Sequence, residues 1–229
     1  MLSKRLEAIL NLVPEQARMA DIGCDHAYLP IQLVRYHRVV RAIGCDINQA
    51  PLDGARANLQ RMNIDKSKIE LRLGSGFQPI LPGEIDVATI AGMGGSLMVD
   101  ILDDGAAIVK ELKRLILSPN VAAWRLREWA VANQFSIVEE QLIEENGRYY
   151  ELLCLEPAAA SVCYTPVEIY FGPHLLKKKD AVTSAYFECR KQSDEGLMTQ
   201  WKALLSEHPE IKSQYERYQK LWREWEVYQ

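Results

Sequence analysis

Four loops in the first part of the chain combine carboxylates and glycines in a way that suits the binding of a polar ligand. Two of them begin with Asp21-Ile-Gly23 and Asp46-Ile-Asn48, and the other two are the glycine-rich stretches 74–77 and 91–95. A carboxylate accepts hydrogen bonds from an ammonium group or from hydroxyl groups, and a glycine lets the backbone approach a ligand closely. The loops therefore predict a site for a ligand that carries a positive charge and hydroxyl groups.

Predicted strands and helices alternate around these loops and would bring them to one edge of a sheet. Apolar and alternating runs predict strands at 17–21, 39–46, 69–73, 85–91 and 114–117, and helical spacing of apolar residues predicts helices at 3–12, 31–36, 51–62, 96–102 and 121–132. A hairpin over 135–142 and 149–155 follows, because Asn146-Gly147 favours a tight turn. This order predicts an α/β fold with a doubly wound sheet and an antiparallel edge, in which ligands bind beyond the carboxyl ends of the strands.

The last part of the chain is charged, aromatic and helical, and it predicts a second domain. We place the domains at 1–163 and 164–229, with Pro166 and Pro173 bracketing a hinge. Residues at steps of three and four define one face on each side of 207–209: Val182, Tyr186, Cys189, Ser193, Leu197, Trp201 and Leu204 before it, and Ile211, Tyr215, Tyr218, Trp222 and Trp225 after it. This spacing predicts an antiparallel helical hairpin with a coiled-coil-like seam.

Composition excludes several broad classes of protein. Of the 229 residues, 48% are hydrophobic, which is enough for a packed core. No stretch approaches the roughly 18 apolar residues of a membrane helix, and Glu7 in the first helical stretch is atypical of a signal peptide. The five cysteines are odd in number and form no CxxC pair, so we expect a cytoplasmic protein without structural zinc. The net charge of −4 does not by itself indicate a nucleic-acid partner.

The loop that begins at Asp21 is the most informative of the four. An acidic strand end, a glycine turn and a helix start resemble the S-adenosylmethionine site of class I methyltransferases, where the helix start offers N–H groups to the carboxylate of the cofactor. A nicotinamide or flavin site would need the pattern GxGxxG and an acid about 20 residues later. Gly23 is the only glycine in this turn, and Asp21 suits an ammonium group better than a pyrophosphate. A purely structural turn between strand and helix is the remaining alternative.

The S-adenosylmethionine interpretation assigns a role to each loop. Asp21 would accept from the methionine ammonium and Asp46 from both ribose hydroxyls, while Phe77 or Ile47 would cover the adenine. The predicted cofactor-binding residues are Asp21, Gly23, Cys24, Asp46, Ile47, Asn48, Gly74, Ser75, Gly76, Phe77, Ala91, Gly92 and Met93. Two alternatives stay open, namely Asp46 as the N-cap of the following helix and 74–77 as an ordinary glycine turn.

Several motifs are more specific than the general fold. They are Asp-Ile-Gly-Cys-Asp-His-Ala-Tyr-Leu-Pro at 21–30, Gly-Cys-Asp-Ile-Asn at 44–48, Ala-Gly-Met-Gly-Gly at 91–95 and Leu-Ile-Leu-Ser-Pro-Asn at 115–120. With the helical tail, they resemble the bacterial TrmK family of tRNA (adenine-22-N1)-methyltransferases over nearly the whole chain. The resemblance implies tRNA as the substrate and adenine N1 as the target. The Asn-Pro-Pro-Tyr motif of amino-directed methyltransferases is absent, and Cys24 stands where we expect Ser or another small residue.

The expected reaction needs alignment more than proton transfer, because N1 of neutral adenine has an in-plane lone pair. An acceptor near the base, either a carboxylate or a backbone carbonyl of 91–93, would stabilise the adenine as it becomes cationic. The candidate catalytic residues at the mouth of the site are Asp25, His26 and Tyr28. The alternative for Asp25 is a helix N-cap, and the alternative for His26 is a structural role. The alternative function is a module that binds the cofactor or a nucleotide without methyl transfer.

A tRNA substrate requires cationic surfaces that contact its phosphates. The predicted contacts are Lys177, Lys178, Lys179, Arg190 and Lys191 on the outside of the tail, together with Arg35, Arg38 and Arg41 of the main domain. His37 lies in the same basic cluster as these three arginines, and an ordinary solvated helix face is the alternative for that cluster. We expect neither a metal nor a membrane partner, and an oligomer is compatible with the sequence without being implied by it.

Overall fold

A mixed sheet of seven strands organises the first of two compact units, Met1–Val162 and Cys163–Gln229. The structure is a computed structural model that describes residues 2–228. The strands are β1 (Ala17–Ile22), β2 (Val39–Asp46), β3 (Ile69–Leu73), β4 (Val87–Ala91), β5 (Arg114–Ser118), β6 (Phe135–Glu145) and β7 (Arg148–Pro157). They lie in the order β3-β2-β1-β4-β5-β7-β6; β1 to β5 are parallel, and β7 runs antiparallel to both neighbours. The predicted doubly wound sheet with an antiparallel edge is confirmed.

Helices connect the strands and cover the sheet. They are α1 (Lys4–Leu12), α2 (Tyr28–Arg35), α3 (Gln49–Arg61), α4 (Gly95–Asp104), α5 (Ala106–Val109) and α6 (Ala123–Ala132). Ser3 caps α1, since its hydroxyl accepts from the N–H of Leu6 at 3.2 Å. Helix α2 begins three residues before the predicted start, because Pro30 is tolerated in the first turn of a helix, where its N–H would have no intrahelical partner.

The central parallel strands are largely apolar on both faces, as a sheet covered by helices requires. Met19, Ala20 and Ile43 on β1 and β2 are buried, as are Ile90 and Leu115 on β4 and β5. The strand order reverses between β1 and β4, so their following loops diverge and leave a crevice at the carboxyl edge of the sheet. The apolar core therefore holds in place the strand ends that carry the polar loops.

An ion cluster that the sequence analysis did not predict fastens α6 to the hairpin. The Arg127 side chain is fully buried, and its Nε donates to Glu140 Oε1 at 2.6 Å. It also pairs with Glu151, so the cluster joins α6 to both β6 and β7. The hairpin turn itself is as predicted: Asn146 and Gly147 have φ values of 54° and 73°, the left-handed conformation that a tight hairpin turn needs.

The second unit contains one more helix than the sequence analysis predicted. Its helices are α7 (Pro166–Phe171), α8 (Ala181–Leu204) and α9 (Lys212–Trp225). The hinge predicted between Pro166 and Pro173 is wrong, because Pro166 occupies the first turn of α7. Thr165 and Glu168 form a reciprocal capping box at its start. The predicted antiparallel pairing of α8 and α9 is confirmed by ring contacts that join Phe187 to Trp225 and Trp201 to Tyr218.

The buried face of α8 is shifted by about one residue from the predicted face. Thr183 and Phe187 are buried, whereas Val182, Cys189 and Leu204 are exposed. The reason is α7, whose Phe171 contacts Phe187, Trp222 and Trp225. Because α8 packs against α7 as well as α9, its apolar contact is not the simple seam of two helices.

The described residues contain neither a helix suited to a membrane nor a cluster suited to a metal. No helix within residues 2–228 is long and apolar enough to span a bilayer. In the same range, no group of three or more His, Cys, Asp or Glu side chains is arranged to hold a metal ion. The five cysteines are unpaired; Cys24, Cys45 and Cys154 are buried, and Cys163 and Cys189 are exposed.

Candidate active site

A cleft of about 610 Å³ lies at the carboxyl edge of the sheet, where the four predicted loops meet. Of the thirteen predicted cofactor-binding residues, twelve line this cleft, and Phe77 is the exception. A larger cleft of about 750 Å³ lies between α1 and the end of α2, but none of the four predicted loops lines it. The first cleft is therefore the candidate active site.

Asp21 is the buried carboxylate of this cleft. It lies near the end of β1, and its Oδ1 accepts from the hydroxyl of Thr89 on the adjacent β4 at 2.6 Å. Burial raises the pKa of Asp21 to about 6, while the hydrogen bond from Thr89 opposes that shift. A buried carboxylate with one neutral donor gains strongly from a cationic partner. The site consequently fits an ammonium group.

Asp46 is aimed by two backbone N–H groups. Its Oδ1 accepts from the N–H of Asn48 at 2.9 Å, and its Oδ2 accepts from the N–H of Asp25 at 3.3 Å. The N-cap residue of α3 is Asn48, so Asp46 does not serve as that cap. Each carboxylate oxygen has a second lone pair, and two acceptors fixed side by side match the neighbouring hydroxyls of a ribose.

Two glycines shape the floor of the cleft. Gly23 and Gly92 have φ values of 74° and 82°, a conformation that costs a side chain about 1 kcal/mol or more. A Cβ on Gly23 would also meet the terminal methyl group of Met93, which would have to move to make room for it. Beside them, burial first and Asp21 second raise the pKa of the Cys24 thiol well above its usual range, which keeps the thiol neutral.

The structure places Phe77 and His26 away from the predicted contacts. Phe77 is only 3% exposed and packs beneath the loop against Gly105, so it does not cover a ligand in the cleft. The His26 ring lies against Gly54 of α3, and the backbone carbonyl of His26 accepts from Asn58 Nδ2 at 3.0 Å. These contacts support the structural alternative for His26. Ile47 lines the cleft with 66% of its surface exposed and is the apolar side chain placed to cover an adenine.

The two other catalytic candidates lie at the mouth of the cleft. Asp25 has a φ of 48° and a carboxylate that is 70% exposed. It does not cap α2, because Ala27 is the N-cap residue of that helix. Tyr28 begins α2, lines the cleft and is 43% exposed, which leaves its ring accessible to a flat ligand.

Several lining residues escaped the sequence analysis. Arg5 and Leu6 come from α1, and Leu97 and Ile101 come from successive turns of α4. Asn120, at the end of the motif 115–120, donates from Nδ2 to the carbonyl of Gly92 at 2.6 Å. The motif was visible in the sequence, whereas the contribution of α1 was not, because that helix precedes β1 and reads as an ordinary amphipathic segment.

Two arginines of the predicted basic cluster, Arg38 and Arg41, have partners within the protein, whereas Arg35 and His37 are exposed. Arg38 donates to the carbonyls of Val13 and Asn11 at 2.8 Å and 2.9 Å, and Arg41 pairs with Glu70. Arg38 directly precedes β2 and Arg41 lies within it, about 26 Å and about 17 Å from Asp46 at about 3.3 Å per residue. The predicted contact of Arg35, Arg38 and Arg41 with tRNA phosphates stays a prediction.

Two tail cations are likewise occupied. The guanidinium of Arg190 lies over the Tyr170 ring at 4.0 Å from its centroid, and Lys191 lies 3.9 Å from a Glu226 carboxylate oxygen. Lys177 and Lys179 are exposed on the segment before α8, Lys178 is half-buried, and the Lys179 ammonium group donates to the backbone carbonyl of Tyr228. The segment 177–179 therefore places two exposed lysines close together on the predicted tail surface.

The sheet order and the paired acidic strand ends define a class I methyltransferase, and comparison with known proteins agrees. Residues 2–153 match the family described as "Methyltransferase domain". The chain is 38% identical to the tRNA (adenine(22)-N(1))-methyltransferase of Bacillus subtilis over 79% of this chain and 77% of that protein. This chain belongs to the TrmK family.

Solved structures give the same result. The crystal structure of the B. subtilis m1A22 tRNA methyltransferase TrmK superposes with a TM-score of 0.84 at 32% identity, covering 96% of this chain and 98% of that one. The Streptococcus pneumoniae protein Sp1610, solved in complex with S-adenosyl-L-methionine, superposes with a TM-score of 0.81 at 32% identity, covering 96% and 99%. The likeness therefore includes the helical unit as well as the methyltransferase domain.

Proposed function

We propose that this chain transfers a methyl group from S-adenosylmethionine to N1 of the adenine at position 22 of tRNA. The observation that carries the proposal is the cleft itself, in which buried Asp21 and oriented Asp46 meet a glycine-lined opening. The TrmK relatives supply the identity of the RNA and of the target base.

Different polar residues of the cleft would bind different groups of the methyl donor. When bound, S-adenosylmethionine supplies a methyl group on a positively charged sulfur. Asp21 would accept from the ammonium group, Asp46 would accept from the ribose hydroxyls, and Ile47 would cover the adenine. The glycines after β1 and β4 leave room for backbone contact with the ligand. Such multipoint contact fixes the orientation that a direct displacement requires.

The other end of the cleft suits the target base. Tyr28 and Leu97 line the mouth with exposed apolar surface against which a flat base can pack. The adenine becomes cationic as N1 takes the methyl group, and the backbone carbonyl of Gly92 and the carboxylate of Asp25 are the acceptors available to stabilise it. No general base is needed, because N1 attacks with a lone pair.

The RNA must present its base to this cleft. Adenine N1 is hidden when a base is stacked and paired, so we expect the target nucleotide to be extruded from the tRNA. We further propose that the helical unit, residues 164–229, contributes to tRNA binding through the lysines at 177–179, and that the reaction takes place in the cytoplasm, where the proposed substrate is found.

The direct test is methylation of a defined tRNA. We expect transfer of label from S-adenosylmethionine to a tRNA with adenine at position 22, loss of transfer when that base is replaced by guanine, and 1-methyladenosine as the modified nucleoside in mass spectrometry. A methylated guanine, a methylated cytosine or N6-methyladenosine would contradict the proposal. Tight binding of S-adenosylmethionine without any transfer would favour the alternative of a binding module.

A further inference from the structure

Arg5 is a cation fixed in the wall of the candidate active site. It lies on the first turn of α1, is half-buried and lines the cleft. Its guanidinium stacks over the ring of Tyr150 at 4.6 Å from the centroid, and Nη1 donates to Asn120 Oδ1 at 3.2 Å. Asn120 in turn donates to the carbonyl of Gly92. Three elements thus hold the guanidinium next to the loop after β4.

Within residues 2–228, no carboxylate forms an ion pair with Arg5. Other arginines of the same unit are paired: Arg18 with Asp86, Arg41 with Glu70, Arg72 with Glu84, Arg114 with Glu156 and Arg127 with Glu140. Asn120 uses one of the five N–H donors of Arg5. The remaining donors belong to a side chain that lines the cleft, and an oxyanion is the ligand that matches them best.

We infer that Arg5 is the oxyanion receptor of this cleft. Its ligand is an oxyanion of a substrate, either the methionine carboxylate of S-adenosylmethionine or a phosphate beside the target adenine. Both anions present paired oxygens that match the planar fork of a guanidinium. Asn120 and Tyr150 act as positioning residues, because they fix the plane of that fork. The inference rests on the proposed function for its substrates.

The test compares Arg5→Gln and Arg5→Lys with the unmodified protein. Calorimetry measures the binding of S-adenosylmethionine and of decarboxylated S-adenosylmethionine, and direct titration measures the binding of tRNA at several salt concentrations. Lys4→Gln is the matched control, since Lys4 is the adjacent cation on α1 but faces Glu144. Thermal unfolding checks that each variant is folded. If Arg5→Gln does not fold, Arg5→Lys still tests the inference.

Either ligand gives a distinct supporting result. If the carboxylate is the ligand, Arg5→Gln weakens S-adenosylmethionine about tenfold or more and leaves the decarboxylated compound unaffected. If a phosphate is the ligand, cofactor binding is unchanged, tRNA binding weakens about tenfold, and the slope of log affinity against log salt falls by about one. Arg5→Lys should weaken the same binding by a smaller factor, because an ammonium group keeps the positive charge but lacks the planar fork.

Two results would overturn the inference. One is wild-type binding of S-adenosylmethionine and tRNA by folded Arg5→Gln, and the other is equal weakening of both cofactor compounds with tRNA binding intact, which indicates a purely structural role. These measurements do not depend on catalysis. A protein that binds S-adenosylmethionine but does not methylate tRNA would contradict the proposed function, while the carboxylate comparison would still test Arg5.

Discussion

Asp21 links the charge of the cleft to pH. Burial raises its pKa to about 6, so the folded protein without ligand holds a proton that the unfolded chain, with a pKa of 3.8, has released. Between about pH 4 and 6 the folded state binds more protons, and its stability falls as pH rises through this window. An ammonium group needs the ionised carboxylate. We therefore expect S-adenosylmethionine affinity to fall as pH drops below about 6, measured by calorimetry between pH 5 and 8.

Asp21→Asn and Thr89→Val separate the two influences on the pKa of Asp21, namely burial and the hydrogen bond from Thr89. The Asn variant should lose the pH-dependent step in affinity and should stabilise the ligand-free protein at pH 7.5 by up to about 3 kcal/mol, because it removes a buried charge. Thr89→Val removes the hydrogen bond that opposes the shift, so the step should move to higher pH. An affinity independent of pH in the unmodified protein would contradict the role given to Asp21.

Asp46 gives a prediction that does not involve pH. Asp46→Ala removes both acceptors proposed for the ribose hydroxyls, and each charged hydrogen bond contributes about 1.5–3 kcal/mol. We expect at least tenfold weaker binding of S-adenosylmethionine by calorimetry. Asp53→Ala is the control, because Asp53 is an exposed carboxylate on α3 that contacts Gln49 and Arg56. Unchanged affinity in folded Asp46→Ala would refute the assignment.

Single residues differ in how far the sequence determines their place. Asp21 and Asp46 could be predicted, because a strand end is set by local pattern and the topology then brings such ends together. The positions of Phe77 and His26 depend on the direction in which each side chain leaves its loop. Phe77 packs into the space beside Gly105, and His26 packs into the space beside Gly54. Arg5 reaches the cleft through the packing of α1, which no local pattern encodes.

At the level of elements, the buried cluster around Arg127 holds the hairpin against α6. Arg127→Met leaves Glu140 and Glu151 without their buried cation, and breaking such a pair costs about 3–5 kcal/mol. We expect a marked loss of stability in urea-induced unfolding. Arg125→Met on the same helix should change stability little, since Arg125 stacks on Trp124 and is exposed. Equal midpoints for the two variants would show that the cluster does not stabilise the hairpin.

Some helices and strands could be predicted from the sequence pattern, and others could not. Strands β2 and β3 coincide with their predicted ranges, because the largely apolar run of β2 and the alternating run of β3 both have clear ends. Helix α7 was missed, since Pro166 and Pro173 suggested a hinge, although Pro166 at a helix start and the capping pair Thr165 and Glu168 favour a helix. The third helix then turns the buried face of α8 away from the face predicted for a two-helix hairpin.

At the level of the whole molecule, several of the cations predicted to bind RNA also have partners inside their own unit. Arg38 and Arg41 hold the first unit together, and Arg190 stacks on Tyr170 within the second. Lys177 and Lys179 are exposed on one short segment, so we expect the lysines at 177–179 to contribute to the electrostatic contact of the tail with RNA. Replacing all three with glutamine should weaken tRNA binding and lower its salt dependence without changing S-adenosylmethionine affinity, as measured by titration at several salt concentrations. Unchanged tRNA affinity would place the contact elsewhere.

Removal of the helical unit tests the division of labour between the two units. All four loops of the cleft lie in the first unit, which is compact without residues 163–229. We expect a chain truncated after Tyr164 to fold, to bind S-adenosylmethionine with unchanged affinity, and to lose most of its tRNA affinity and methylation rate. Full methylation by the truncated chain would make the tail a structural or oligomerisation element. Failure of that chain to bind S-adenosylmethionine would show that the methyltransferase domain needs the helices in order to fold.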